Sequence, residues 1–373
     1  MKKILIAPNS YKECSTSVNA SQLFERHLGK SPDMELISVP ISDGGDGFID
    51  VCKSNFKLNN LSFEIKRVYS DEMFTLNVGI SQDKKSLYIE SAKILGLQGI
   101  PLNKRKPLSL NSSNLGELLK EINKNRKGVE RVIIGIGGTG INDLGLGVCS
   151  AFGLKTFDSN GIELSIIPQN YKEIKNIKWS KTNLNFDIEL IIDVDNPLFG
   201  EYGATKTYSV QKGATLDDIE ILEDGFANVL NIINCSELMI LPQKLSGAGG
   251  GLAAGLQIFF NAKVIESTKF INEFLLGEQL TIIPDFVITG EGFFDNQSLQ
   301  NKGAKIVIDR FASAGCKVFL VCGKIDHKLL KELGENIIPI ELIKYFKNEA
   351  ESIKYFNKGI HLACNDILTY LAN

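Results

Sequence analysis

The sequence predicts an α/β fold with a parallel sheet, on three observations. Short apolar runs alternate with segments of helical periodicity, clusters of glycine and carboxylate follow the ends of those runs, and the middle of the chain changes to shorter, alternating segments. Lys3-Ile-Leu-Ile-Ala7 reads as the first buried strand, Ser15 to Leu28 as a helix, and Glu35-Leu-Ile-Ser-Val-Pro-Ile41 as the second strand. Near the other end, Asp285-Phe-Val-Ile-Thr289, Lys317-Val-Phe-Leu-Val321 and Asn336-Ile-Ile-Pro-Ile-Glu-Leu342 add three more, and the five can share one sheet. Between them, Phe63-Glu-Ile-Lys-Arg-Val68, Phe74-Thr-Leu-Asn-Val-Gly-Ile80 and Ser86-Leu-Tyr-Ile-Glu90 alternate as antiparallel strands with one wet face do, with Asp83-Lys-Lys85 as a turn. The expected organisation is a doubly wound domain closed by both termini, residues 1–62 plus 285–373, with an inserted mixed α/β domain over 63–284.

A chain of 373 residues is long for one hydrophobic core and short for three. Its 43% hydrophobic and 23% charged residues are ordinary globular composition, and a net charge of −3 argues against a nucleic-acid or anionic-membrane surface. Any phosphate site is therefore local. The apolar run after Met1 stops at Pro8, too short for a signal-peptide core, and no stretch approaches a membrane span. Seven cysteines form no CxxC pair, so neither a disulfide framework nor a structural zinc site is suggested, and a cytoplasmic protein is expected.

Four segments concentrate glycine and carboxylate: Ser42-Asp-Gly-Gly-Asp-Gly47, Gly135-Ile-Gly-Gly-Thr-Gly-Ile-Asn-Asp143, Ser246-Gly-Ala-Gly-Gly-Gly251 and Thr289-Gly-Glu-Gly-Phe-Phe-Asp295. Glycine lets backbone N–H groups approach phosphate oxygens, and aspartate oxygens suit a hard cation, so the combination fits a phosphorylated substrate with a metal ion. Each segment taken singly is also an ordinary turn. Gly135, Gly137 and Gly140 satisfy GxGxxG after an apolar strand, with Asp158 downstream, which is the case for an NAD-dependent oxidoreductase. Asn142 and Asp143 weaken it, because a dinucleotide-binding helix presents small or apolar residues there. No Walker A loop, protein-kinase set or GxSxG elbow occurs. His27, His327 and His361 lie away from the glycine loops, which leaves acid–base work to carboxylates. Asp193 and Asp195 end the run Glu189-Leu-Ile-Ile192, where an i, i+2 pair on one strand face repels unless a cation sits between, so the pair could hold magnesium or position a hydroxyl.

Together with Ala7-Pro-Asn-Ser-Tyr-Lys12, Asp193-Val-Asp-Asn-Pro-Leu198 and Gln211-Lys-Gly-Ala214, these segments resemble, in order and spacing, the type I glycerate kinases over nearly the whole chain. The resemblance implies transfer of the ATP γ-phosphate to D-glycerate, usually giving 2-phosphoglycerate, with magnesium. It also implies two α/β domains, one flavodoxin-like, with the active site between them. The partner is then a small molecule, with neither nucleic acid nor membrane involved, and a homo-oligomer is compatible with everything above.

In that frame Lys12 and Lys212 would meet phosphate or transition-state charge. Glu291 and Asp295 would meet the acceptor hydroxyl, with Asp295 favoured as base. Asn9, Ser10, Asp43, Gly44, Gly45, Gly137, Gly138, Asn142, Asp143, Gly247 and Gly249 would line the substrate or nucleotide site. Ser298 reads as the cap of the next helix. The chain also departs from the family: Asn9 stands where the family has aspartate, and Phe293 where it has arginine, the natural bidentate partner of a carboxylate or phosphate. Lys302 or Lys324 could supply the missing cation. Those departures keep open a kinase of another small hydroxy acid and a non-catalytic member that binds a metabolite.

Overall fold

The computed structural model describes residues 1–29, 33–180, 182–193, 196–233, 246–279, 283–296, 298–299 and 302–372. They form two compact units. The first comprises Met1–Asp43, Asp50–Lys57 and Glu266–Asn373, and the second Gly44–Ile49 and Leu58–Ile265.

In the first unit, strands Ile337–Glu341, Lys317–Cys322, Phe286–Thr289, Lys2–Ile6 and Met34–Ser38 lie side by side in that order, with every neighbouring pair parallel. These are the five segments the apolar runs mark at the two ends of the chain. The second strand stops at Ser38, short of its expected end. Beyond it Val39 N still donates to Ile6 O and Ile41 N to Pro8 O, flanking Pro40. The helix between the first two strands is Ser17–Leu28. It begins later than expected because Tyr11 and Ser15 exchange backbone hydrogen bonds in a tight turn, and the Thr16 side chain then accepts Asn19 N. Its buried Ala20, Leu23, Phe24 and Leu28 recur at helical spacing and share a core with Ile4, Ile6, Ile288 and Phe319 of the sheet and Ile360 and Ile367 of helix Phe356–Ala372.

The second unit carries a six-stranded mixed sheet in the order Lys263–Glu266, Asp187–Ile192, Arg131–Ile136, Ser86–Glu90, Met73–Ile80 and Asn59–Lys66. The last three are joined antiparallel, as their alternation predicts, while Ser86–Glu90, Arg131–Ile136 and Asp187–Ile192 run parallel. The first of the alternating strands starts at Asn59, ahead of the apolar run, because Asn59 to Ser62 pair with Asn77 to Ile80 on the exposed edge. At the expected 83–85 turn the Asp83 carboxylate accepts Lys85 N at 3.0 Å, and Lys84 takes φ 62°. No helix among the described residues is long and apolar enough to cross a membrane.

Candidate active site

Parallel strands deliver their C-terminal ends to one edge of a sheet, where loops carry chemistry. In the first unit that edge holds Ala7 to Lys12 and Thr289 to Asp295. Ala7 N donates to Ile288 O and Asn9 N to Gly290 O, so the two segments leave the sheet together. Asn9 is buried and its Oδ1 accepts Ser10 N at 2.8 Å, while Lys12 is exposed. Tyr11 buries its ring and donates from its hydroxyl to Val321 O at 2.7 Å, which fixes the turn that carries Lys12. Gly290 has to be glycine: a Cβ there would lie 1.6 Å from Val321 O.

Glu291 follows at once. Its Oε1 is buried without a hydrogen-bond partner. Burial pushes its pKa up to about 7; a Ser298 hydrogen bond and the Lys302 charge pull it down, while Asp43 and Asp295 push it up. Its electrostatic surroundings therefore join Asp43, Glu291, Asp295 and Lys302. Asp295 Oδ1 accepts Ser298 N at 3.3 Å, and Asp295 N donates to Ser298 Oγ at 3.2 Å. Ser298 thus closes the turn after Phe294. It does not cap a helix: the next one, Gly303–Ala312, starts after Lys302. Phe293 is 48% exposed, and Lys324 Nζ stands 5.6 Å from its ring centroid, a cation–π distance.

In the second unit the parallel strands end at Glu90, Ile136 and Ile192. Gly44 and Gly45 lie against two of them. A Cβ on Gly44 would meet Ile191 O at 2.6 Å, and one on Gly137 would meet Gly45 Cα at 2.7 Å. Gly138 takes φ 62° beside Asp46. Asn142 and Asp143 are fully buried. Asp143 Oδ2 accepts from Ser112 N and Oγ, both at 2.7 Å, and from Gly147 N; Oδ1 accepts Gly145 N. Burial raises its pKa and these four hydrogen bonds lower it, with burial the larger. Four donors on a carboxylate away from solvent make it the hub of the loop, placed to hold the backbone in shape.

Lys212 is equally buried. Its Nζ donates to Ile141 O at 2.7 Å and Asn142 Oδ1 at 3.2 Å, and burial lowers its pKa to about 7, with Asp143 pulling the other way. Gly250, at φ 69°, packs on the same turn: a Cβ would lie 2.1 Å from Ile141 O. Gly249 packs on Ile136, and Gly247 on Pro197 O and Ala204. Lys212, Asn142, Asp143 and the Gly247–Gly251 loop are thereby brought together. Asp193 lies just past the end of its strand, at Ile192, rather than on a strand face, and Asp195 lies outside the described residues. Among the described residues no group of three or more His, Cys, Asp and Glu could hold a metal ion.

The dinucleotide pattern fails on its local structure. Residues 137–145 are irregular, the next helix is only Leu146–Ala151, and Asp158 closes a turn by accepting Asn160 N and Ile162 N. The geometry instead consists of glycine backbones, buried carboxylates and a buried lysine at strand ends, and residues 4–370 match the glycerate kinase family. The chain belongs to the glycerate kinase family. It is 32% identical over 332 residues to the glycerate kinase of Halalkalibacterium halodurans, covering 87% of this chain and 86% of that one. To the glycerate 2-kinase of Escherichia coli K12 it is 32% identical over 306 residues, covering 80% and 79%. The crystal structure of a protein described as glycerate kinase 2 from Salmonella typhimurium LT2 superposes with TM-score 0.79 at 26% identity, over 100% of this chain and 98% of that one.

Several residues of this family member escape sequence reasoning. Glu90 is buried, and its carboxylate accepts Gly47 N at 3.2 Å and Ile49 N at 3.0 Å, holding the Gly44–Gly47 turn where a helix begins. Its only signal is a carboxylate closing the apolar run Ser86-Leu-Tyr-Ile-Glu90. Ser112 and Tyr171, whose hydroxyl donates to Asp143 O at 2.9 Å, carry no local signal. Arg105 donates to Ile100 O and Leu97 O and supports Gly213 beside Lys212, a contact formed only by tertiary folding.

Proposed function

We propose that this chain phosphorylates D-glycerate with ATP, giving 2-phosphoglycerate by in-line transfer, with Glu291 as the general base. The observation that carries the reading is the state of Glu291: a carboxylate with a buried, unpartnered oxygen and a pKa of about 7 at the end of a parallel strand. A base poised near neutral pH is half ionised at working pH and still basic enough to take the proton of an alcohol as attack proceeds. Between the two carboxylates of this motif, the geometry favours Glu291 over Asp295, whose Oδ1 already serves a turn. The names of the relatives supply the substrate class. The sheet order of the first unit, second strand, first, third, fourth, fifth by position in the chain, supports a flavodoxin-like doubly wound domain built from both ends of the chain.

The remaining residues orient and neutralise. Lys12, exposed on a turn fixed by Tyr11, would meet an anionic oxygen. Lys212 holds Ile141 and Asn142 in position, and so shapes the loop that presents Gly137 and Gly138. Magnesium takes one or two carboxylates and fills its shell with phosphate oxygens and water, so Asp193, just past its strand end, would hold it together with Asp195. When bound it neutralises phosphate charge.

The test is ADP release in the presence of D-glycerate, L-glycerate and related hydroxy acids, followed across pH. D-glycerate should be preferred, and kcat/KM should rise as pH increases through about 7, since the base works only when ionised. Glu291→Gln should abolish that limb and lower kcat at least a hundredfold. Unchanged turnover in Glu291→Gln would remove this carboxylate from the mechanism.

A further inference from the structure

Beyond Glu291 the chain forms a second, small ladder past the end of the main sheet. Phe293–Phe294 pairs in parallel with Lys324–Ile325. Gly323 N donates to Glu291 O at 3.2 Å, Lys324 N to Gly292 O at 3.1 Å and Asp326 N to Phe294 O at 2.9 Å. The approach is as close as backbones allow, since a Cβ on Gly323 would lie 2.4 Å from Gly292 O. Two facing glycines leave no side chains there to fix the register. The buried Phe294 and Ile325 anchor the far end of the ladder, and a contact from outside can stiffen the rest.

Glu341 is in the right place. It ends strand Ile337–Glu341 opposite Cys322 and is 5% exposed. Its Oε2 accepts Ile325 N at 3.4 Å, and Ile325 is the residue paired with Phe294. Its Oε1 lies 2.6 Å from His327 Nε2 and 3.3 Å from Lys344 Nζ, both on well-exposed side chains. Oε1 has no hydrogen bond of good geometry, so Lys344 holds it by charge and His327 by close contact. Cys322 lies within electrostatic reach of both Glu291 and Glu341, and both raise its pKa after burial has done so. A buried carboxylate is costly, and an apolar residue would close a strand end more cheaply. What the carboxylate adds is a grip on Ile325, on the segment that follows it, and on the turn Leu342–Tyr345.

We propose that Glu341, charge-paired to Lys344 and in contact with His327, is a positioning residue that holds the Lys324–Asp326 segment, and through its backbone ladder the carboxylate of Glu291, in the productive place. The proposal rests on the reading of Glu291 as base. A base displaced by a fraction of an ångström loses rate without losing substrate. Glu341→Gln keeps the size and the acceptor for Ile325 N while removing the charge that draws in Lys344.

The experiment is steady-state kinetics with D-glycerate and ATP on the whole chain, for wild type, Glu291→Gln, Glu341→Gln, the double variant, His327→Ala and His327→Ala/Lys344→Ala. Glu341→Gln should lower kcat about tenfold, with both KM values within about twofold. Because Glu341 acts only through Glu291, the double variant should be no slower than Glu291→Gln alone. Restoring the charge with Glu341→Asp should recover part of the loss. The variants at the exposed positions 327 and 344 weaken the same clamp without cutting into the core, and together should lower kcat at least threefold. A kcat for Glu341→Gln within about twofold of wild type, or a loss that multiplies onto that of Glu291→Gln, overturns the proposal. Should Glu341→Gln fail to fold, an unchanged kcat in His327→Ala/Lys344→Ala overturns it equally. Wild-type turnover in Glu291→Gln is a separate result: it removes the base first, and the positioning role with it.

Discussion

Lys212 offers the sharpest physical test, because its burial has a price that can be read against pH. Burial moves its pKa from 10.5 to about 7, which at roughly 1.4 kcal/mol per unit is about 5 kcal/mol against the charged form. The sign follows from proton counting. Between those two values the unfolded chain keeps the lysine proton and the folded chain releases it, so stability rises with pH at about 1.4 kcal/mol per unit. Below about pH 7 both states are charged and the whole cost remains. Lys212→Met has nothing there to titrate. It also strands Ile141 O and Asn142 Oδ1, but that loss, about 1–3 kcal/mol, is the same at every pH. Urea unfolding of both proteins over roughly two pH units above neutral should therefore show wild type gaining about 3 kcal/mol on the variant. Parallel curves would refute the reasoning and mean that Lys212 is not held in the protonation state its burial implies.

Three further outcomes follow from the same geometry. Asp193→Asn should lower turnover at least tenfold with an unchanged melting temperature, since it removes one charge at constant size; unchanged activity would take this strand end out of the site. With Lys324 already over the Phe293 ring, Phe293→Arg should bring two cations together and fail to raise kcat/KM for D-glycerate, whereas Lys324→Met should lower it about tenfold, one charge-assisted contact; a rise with arginine would show that the cation is missing here. Gly250→Ala should cost on the order of 3 kcal/mol, because the methyl would lie 2.1 Å from Ile141 O at a φ of 69°, while Gly153→Ala, with φ 92° and nothing within 4 Å, should cost about 1 kcal/mol; equal costs by urea unfolding would mean that the Gly250 contact is not tight.

The sequence by itself determined a great deal of this protein. Apolar runs such as Lys3 to Ala7 and Lys317 to Val321 marked all five strands of the first sheet, the central ones because a strand buried on both faces admits little else. The alternation at 63–80 marked the antiparallel edge of the second. The ordered glycine and carboxylate segments carried the family, since close backbone approaches such as Gly290 on Val321 O and Gly250 on Ile141 O leave glycine no substitute. Tertiary structure alone decided what each polar side chain became. Lys212 reads as a cation for phosphate, and only the fold shows it buried with its ammonium on Ile141 O and Asn142 Oδ1. Asp143 reads as a ligand until Ser112, 31 residues earlier in the chain, turns it into the hub of its loop. The sequence favours Asp295 as base, yet burial leaves Glu291 poised near neutral pH while Asp295 closes a turn. The reason is that backbone geometry is written in local residue size and period, whereas desolvation depends on what distant segments bring to the same place.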